Sequence, residues 1–316
     1  MSEEVRRSVI KDKMFTKVNN SSLWKSKPEI MRHVIFLVGV ITSSSMLYTP
    51  LNNFFHSLMF HDYHYLIAFI PLISGYLIYS KREYVYSEKK YSFVIGTSVI
   101  FIGIVLYVTG NTYDLDLNLN DHASVIIFSA TLVIWGAFIF SFGILAFRKS
   151  LFPLLFLTFM IPIPTIIMDK IIYFLQVSSA EVSNLLFLAS GAPFFREGFV
   201  FHLPGQSIEV ATQCSGIRSC LALLIISVLA GHLFLKTWWK KVILVICSIP
   251  IAMFKNGIRI VTLTLLGSYV DPRILGSSLH REGGIPFFIL ALSFMAPLLY
   301  FFRKSEKTLD TLSSKE

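Results

Sequence analysis

The sequence predicts an all-α polytopic membrane protein, because three features of the chain agree. Hydrophobic residues make up 54% of the chain and charged residues only 15%, whereas soluble domains carry about 25% charged residues. The apolar residues come in long blocks, many of them close to the roughly 20 residues that an α-helix needs to cross a bilayer. Most Lys and Arg residues lie between these blocks, as they do in the loops of multi-pass proteins.

Eight apolar blocks are candidate membrane spans. Their approximate limits are residues 33–49, 64–80, 92–110, 124–147, 151–168, 215–235, 242–267 and 285–302. The fifth block is interrupted by Pro153, Pro162 and Pro164, and the seventh contains Pro250. Proline removes a helical hydrogen bond, so we expect breaks or kinks in both.

The distribution of positive charge predicts how the chain is oriented. With the N-terminus in the cytoplasm, 21 of the 28 Lys and Arg residues lie in cytoplasmic segments and 4 in external loops, as the positive-inside rule requires. Both tails, residues 1–32 and 304–316, are then cytoplasmic and flank a transmembrane domain of residues 33–303. The N-terminal tail is too long for a simple secretory signal, so the first span is predicted to be a retained anchor.

A long external loop, about residues 169–214, precedes the sixth span. Between Ile171 and Ala189, apolar residues recur on one helical face. This pattern predicts an amphipathic helix in the outer interface or packed against the bundle; a ninth span is the alternative. Two short strand-like runs around Pro204 and Gly205 predict a small hairpin that leads into Cys214.

Cys214 is the first candidate for chemistry. It is predicted to lie in the first turn of the sixth span, where the helix dipole and a nearby cation favour the nucleophilic thiolate. Arg218 follows four residues later, on the same predicted helical face. It is expected to stabilise the thiolate or to recognise an acidic substrate residue. The alternative is that Cys214 packs as a small apolar residue while Arg218 extends to the lipid headgroups.

Arg259 and Asn256 are the candidates in the seventh block. A mid-span arginine costs about 2.5–3.5 kcal/mol, so such residues usually face a polar interior or a cavity. Arg259 lies 18 residues beyond Lys241, or roughly 27 Å along a helix, which places it near the depth of Cys214. Asn256, one turn deeper, is expected to orient or share the site. Lys255 either pairs with a polar group inside the bundle or takes part in catalysis.

His280, in the last external loop, is the predicted general acid and base. His202, beside the hairpin turn, competes for the same role. A thiol, a cation and an imidazole on one membrane face suit covalent acyl transfer.

No cofactor and no metal are expected. His56, His61, Asp62 and His64 could bind a metal ion, but their irregular spacing favours a solvated loop. The chain contains no HExxH pair, GxSxG elbow or P-loop.

Three motifs resemble those of the exosortase/archaeosortase family: CSGIRS at residues 214–219, NGIRI at residues 256–260, and His280 before the final span. The resemblance implies a polytopic membrane cysteine protease and transpeptidase. It also implies a catalytic site of Cys214, Arg259 and His280.

The resemblance further implies a substrate and a location. The expected partners are secreted proteins with a C-terminal tripartite sorting signal: a short motif such as Pro-Glu-Pro, a transmembrane helix and a basic tail. Cleavage would occur at the outer face of a bacterial inner membrane, followed by transfer to a cell-surface acceptor such as an exopolysaccharide. No nucleic acid is expected.

Two rival functions remain open. The first is a transporter or flippase for an anionic lipid-linked glycan, with Arg218, Lys255 and Arg259 as binding charges. The second is a non-catalytic assembly partner. Neither gives Cys214 a chemical role, so the Cys214→Ala variant distinguishes them from the protease.

Overall fold

The structure, a computed structural model, describes residues 30–48, 65–85, 91–112, 117–271, 273 and 284–313. The helices are α1 (Ile30–Tyr48), α2 (Tyr65–Ser80), α3 (Arg82–Val85), α4 (Phe93–Thr112), α5 (Leu119–Lys149), α6 (Leu151–Phe156), α7 (Thr165–Ser190), α8 (Ile217–Phe234), α9 (Trp238–Tyr269) and α10 (Gly284–Ser313). The strands are β1 (Phe195–Glu197), β2 (Val200–Leu203) and β3 (Gln206–Glu209).

Among the described residues, seven helices are long and apolar enough to cross a membrane. They are α1, α4, α5, α7, α8, α9 and the Ile285–Thr308 part of α10. Large apolar side chains are widely exposed on these helices, for example Val94 on α4 (79%) and Ile285 on α10 (69%). The predicted class, an all-α polytopic membrane protein, is confirmed.

The described chain divides into two compact units, which meet in sequence between Pro164 and Thr165. In the first unit, α4 and α5 are in close contact because glycines line their interface. A Cβ atom added at Gly96 would lie 2.6 Å from the backbone nitrogen of Phe140, and one at Gly103 would lie 2.9 Å from the carbonyl oxygen of Ser129. Small residues allow such close backbone packing between helices in a membrane.

The predicted fifth span, residues 151–168, is not one continuous helix. Helix α6 passes into a 3-10 turn at Leu157–Met160, and α7 begins only after Pro162 and Pro164. Four backbone carbonyls of this segment accept hydrogen bonds from side chains of the same unit: Pro153 from Ser74, Leu154 from Trp135, Pro162 from Ser124, and Ile163 from Asn120. These bonds satisfy groups that a regular helix would have paired internally, as a lipid environment demands.

In the second unit, α7 is one continuous helix. It contains both the last residues of the predicted fifth span and the whole of the predicted amphipathic helix. Its polar residues Gln176, Ser179 and Ser183 are buried, whereas Tyr173 and Leu185 are more than 60% exposed. Apolar residues outside and small polar residues inside are typical of a helix in a lipid-facing bundle. The helix therefore packs against the bundle of its unit, which is one of the two placements predicted for it. It is also among the helices long and apolar enough to cross a membrane, as the alternative prediction of a further span requires.

Helix α7 runs beside α9 in the same direction. Leu175 shares an apolar cluster with Ala252, and Phe187 shares one with Ile260 further along both helices. At Gly257 a Cβ atom would lie 2.5 Å from Val182 Cγ1. This glycine allows the two helices to touch.

The predicted hairpin around Pro204 and Gly205 is present, and β1 extends it to an antiparallel sheet of order β1-β2-β3. One face of the sheet buries Phe201 and Leu203 against α7 and α9. The Gln206 amide donates to the Thr264 carbonyl oxygen at 2.9 Å. The sheet is therefore fixed to the end of α9.

Helix α10 continues past the predicted end of the last span into the segment predicted as a tail. There Glu306, 7% exposed, accepts hydrogen bonds from the backbone N–H groups of Lys236 and Thr237 at 2.9 Å each. Its carboxylate also lies 4.0 Å from Lys240 Nζ. This buried group ties α10 to the turn between α8 and α9.

We expect Glu306→Ala to destabilise the fold by about 3–5 kcal/mol, because removing one partner leaves a buried charge uncompensated. The matched control is Glu181→Ala. Glu181 pairs with Arg196 at 2.8 Å but is 60% exposed, so its loss should cost less than about 1 kcal/mol. Thermal unfolding in detergent measures both. Equal effects would show that Glu306 is not a structural tie.

Candidate active site

Cys214 lies on a turn that connects the sheet to α8. A 3-10 turn, Thr212–Cys214, ends in Ser215, and α8 begins at Ile217 after Gly216. The Cys214 N–H donates to the Ala211 carbonyl oxygen at 2.8 Å. The cysteine is partly buried.

The predicted placement of Cys214 within the first turn of the sixth span is therefore wrong. Gly216 has φ 78° and ψ 15°, a left-handed conformation that interrupts the helical register. Cys214 and Arg218 consequently do not share a helical face through i, i+4 spacing. The signal that was available is Gly216 itself, since glycine adopts this conformation without steric cost.

Asn256, on α9, holds the Cys214 turn in place. Its Nδ2 group donates to the Cys214 carbonyl oxygen at 2.8 Å and to Ser179 Oγ on α7 at 2.9 Å. The residue is only 1% exposed. Asn256 thus connects the turn, α7 and α9. It was predicted to orient or share the site, and its observed contact is with the main chain of Cys214.

Gly216 packs directly against Asn256. A Cβ atom at position 216 would lie 2.8 Å from Asn256 Cγ, closer than real Cβ contacts allow. The close approach and the positive φ both require glycine here. Position 216 therefore fixes how near the turn comes to α9.

Arg259 lies three residues beyond Asn256 on α9 and is partly buried. It is close enough to Cys214 to be attracted by a thiolate, and close enough to Arg218 to be repelled by its charge. Arg218 is exposed. The structure therefore brings Cys214, Arg218, Asn256 and Arg259 together, and an arginine at this position can stabilise an oxyanion that forms next to the thiol.

His280 lies outside the described residues, so its role as general acid and base stays a prediction. The competing residue, His202, is on the face of the sheet opposite Phe201. Its Nδ1 atom lies 2.7 Å from Ser207 Oγ, and its Nε2 atom lies 3.8 Å from a Glu197 carboxylate oxygen. These described partners do not include Cys214.

Lys255, 1% exposed, hydrogen-bonds through Nζ to Ser219 Oγ. The Ser219 hydroxyl in turn donates to the Gly216 carbonyl oxygen at 3.0 Å. Of the two roles left open for Lys255, pairing with a polar group inside the bundle is the one observed. Through Ser219, this pairing supports the same turn that Asn256 holds.

The sequence did not single out Ser179 as a residue of the site. It lies with Gln176 and Ser183 on one face of α7 at helical spacing, and this polar stripe was the available signal. The stripe faces inward, and Ser183 Oγ, Ser215 Oγ and Asn256 Oδ1 have no hydrogen-bond partner among the described residues. The interior next to Cys214 is therefore polar.

Among the described residues, no group of three His, Cys, Asp or Glu side chains is placed to hold a metal ion. The cluster from His56 to His64 lies outside them. The groups assembled at the turn are one sulfur, two guanidinium groups and an amide.

We expect Asn256→Ala to destabilise the protein by about 1–3 kcal/mol, because two buried acceptors lose their donor. Cys214 should also react faster with a maleimide, since its turn loses an anchor. Ser179→Ala, which keeps the bond to the Cys214 carbonyl, should leave that rate unchanged. Both are measured with Cys220 and Cys247 replaced by alanine. An unchanged maleimide rate in Asn256→Ala would contradict the anchoring role.

Comparison with known protein families identifies a match. A family model described as transmembrane exosortase matches residues 57–297, which is more than half of the chain and includes every described residue of the site. No curated protein and no solved structure shows a significant match.

Proposed function

Because the chain belongs to the transmembrane exosortase family, we propose that it is a cysteine peptidase and transpeptidase that processes C-terminal sorting signals of secreted proteins. Family membership makes it a multi-pass membrane protein of the transpeptidase and protease class. The observation that supports thiol chemistry is the environment of Cys214. Its turn is fixed by Asn256, and Arg259 lies within electrostatic reach of its sulfur.

In the proposed reaction, the Cys214 thiolate attacks the carbonyl carbon of the scissile peptide bond. A C–S bond forms, and Arg259 stabilises the oxyanion of the tetrahedral intermediate. The C–N bond then breaks, His280 protonates the departing amine, and a thioester remains on Cys214. An acceptor nucleophile or water, deprotonated by His280, then attacks the thioester, the C–S bond breaks, and the product leaves with the Cys214 thiolate and protonated His280 restored.

The proposed location is a bacterial inner membrane, with both tails in the cytoplasm and Cys214 at the external face. The excess of Lys and Arg in the segments assigned to the cytoplasm supports this orientation. The proposed substrates carry a tripartite signal of the Pro-Glu-Pro type, and the proposed acceptor is a cell-surface glycan.

Co-expression with a secreted reporter that ends in such a signal tests the proposal. The mass of the reporter reports cleavage, and added mass on the shortened reporter reports transfer. A reporter with its short motif replaced by alanines is the control for specificity. If the wild-type protein leaves the intact signal uncut, the proposal fails for that signal class.

Buried cations also occur in transport pathways for anions, and Lys255 and Arg259 are such residues. The rival function is therefore transport of an anionic lipid-linked glycan. It predicts that Lys255→Met impairs function while Cys214→Ala does not. The two variants separate the rival from the protease.

A further inference from the structure

Strand β3 has one unpaired edge. It lies at one side of the three-stranded sheet and pairs with β2. In the described part of the chain no strand pairs with its other edge. Open strand edges bind extended peptides through main-chain hydrogen bonds, and the pockets beside them add specificity.

The register shows which groups face this edge. Leu203 pairs with Gln206 across the turn, and the Val210 N–H donates to the Phe199 carbonyl oxygen at 2.9 Å. In an antiparallel pair, alternate residues bond to the neighbouring strand. The N–H and C=O groups of Ser207 and Glu209 therefore point away from β2, and both residues are exposed.

The edge is held in a fixed relation to Cys214. Val210, 1% exposed, follows β3, and its carbonyl oxygen accepts a hydrogen bond from the Gln176 side chain at 2.6 Å. Ala211 then accepts the Cys214 N–H at 2.8 Å. Glu209 is five positions before Cys214. Five residues of extended chain span at most about 17 Å, so the Cα atoms of the two residues lie within about that distance. The outer edge of β1, with which no described strand pairs, lies two strand spacings, about 10 Å, further across the sheet.

We propose that the open edge of β3 is the substrate-binding edge of the enzyme. An extended segment of the polypeptide substrate pairs with β3 as a fourth strand, bonded to the main chain of Ser207 and Glu209, and this pairing leads its scissile bond to Cys214. The proposal rests on the proposed peptidase function. Main-chain pairing depends little on the side chains of the paired segment, so it would fix the direction and register of the segment.

Proline substitution tests the edge, because proline lacks the N–H group yet is accepted on edge strands. Ser207→Pro and Glu209→Pro should each lower kcat/KM for the reporter about tenfold, mainly through KM, as expected for a lost hydrogen bond. Ser207→Ala and Glu209→Ala keep the N–H and serve as the references against which the proline variants at the same positions are compared. Unchanged maleimide labelling of Cys214 confirms that the turn is intact. Proline variants that cleave as fast as the alanine variants would overturn the proposal.

A second measurement does not depend on turnover. In the Cys214→Ala background, a photo-crosslinking residue at position 209 should capture the signal-bearing reporter, and one at position 197 on β1 should not. Capture at 209 without processing by the wild-type protein would contradict the peptidase function while leaving the binding edge supported. Processing without capture at 209 would refute the binding edge alone.

Discussion

The Cys214→Ala variant is expected to leave the signal-bearing reporter uncut. The proposed reaction passes through a thioester, and no other atom at the turn can form it. Cys214→Ser should also lose activity, by roughly 10⁴-fold or more, because loss of a nucleophile removes the covalent route. The chain supplies matched controls: Cys220 and Cys247 lie on neighbouring helices and have no assigned role. Their alanine variants should process the reporter at near wild-type rates.

The readouts are reporter mass and a covalent adduct on the enzyme. Wild-type protein quenched during turnover should carry the mass of the cleaved reporter on the peptide that contains Cys214. If Cys214→Ala cleaves normally, the thiol is a packing residue and the proposed thioester reaction is contradicted. Arg259→Ala should lower the rate through kcat, since its charge acts on the oxyanion.

Gly216→Ala is expected to lower activity about 10²-fold, the effect that a displacement of about 1 Å can have on a reacting group. Its methyl group would collide with Asn256 Cγ at 2.8 Å, in a backbone conformation with φ +78°. The turn, and Cys214 with it, must move away from Asn256. The control is Gly191→Ala, which has φ +69° but no atom within 4 Å of an added Cβ.

The comparison separates collision from backbone strain. Gly191→Ala carries the strain alone and should keep most of the activity. Combining Gly216→Ala with Asn256→Ala removes the colliding amide, so the double variant should lose less than the two single losses combined. Strict additivity, or equal losses in Gly191→Ala and Gly216→Ala, would contradict the packing explanation.

Much of the fold was predictable because it follows from local patterns. The apolar blocks predicted an all-α membrane protein, and Pro204 with Gly205 predicted the hairpin. The third strand, β1, was missed because three residues carry too little pattern. The break at Pro162 and Pro164 was predicted, but residues 165–168 were assigned to the fifth span and not to α7, because hydrophobicity continues across both prolines.

For the site, helical rise along the seventh block predicted that Arg259 and Cys214 lie at similar depth, and the structure brings them together. The contacts of Asn256 were not predictable, because they depend on how α7 and α9 are rotated toward each other. Ser179 shows the same limit. Its stripe has helical spacing, but only the packing of α7 shows that this polar face points inward.

Gly216 also bears on how the enzyme would respond to the thickness of its membrane. A span whose apolar length does not match the bilayer tilts, and a nucleophile inside that span would tilt with it. Here the left-handed residue takes Cys214 out of the helical register of α8, while Asn256 joins it to α9, the helix that carries Arg259. The thiol and the arginine therefore share one support, and a change in the tilt of α9 moves both together.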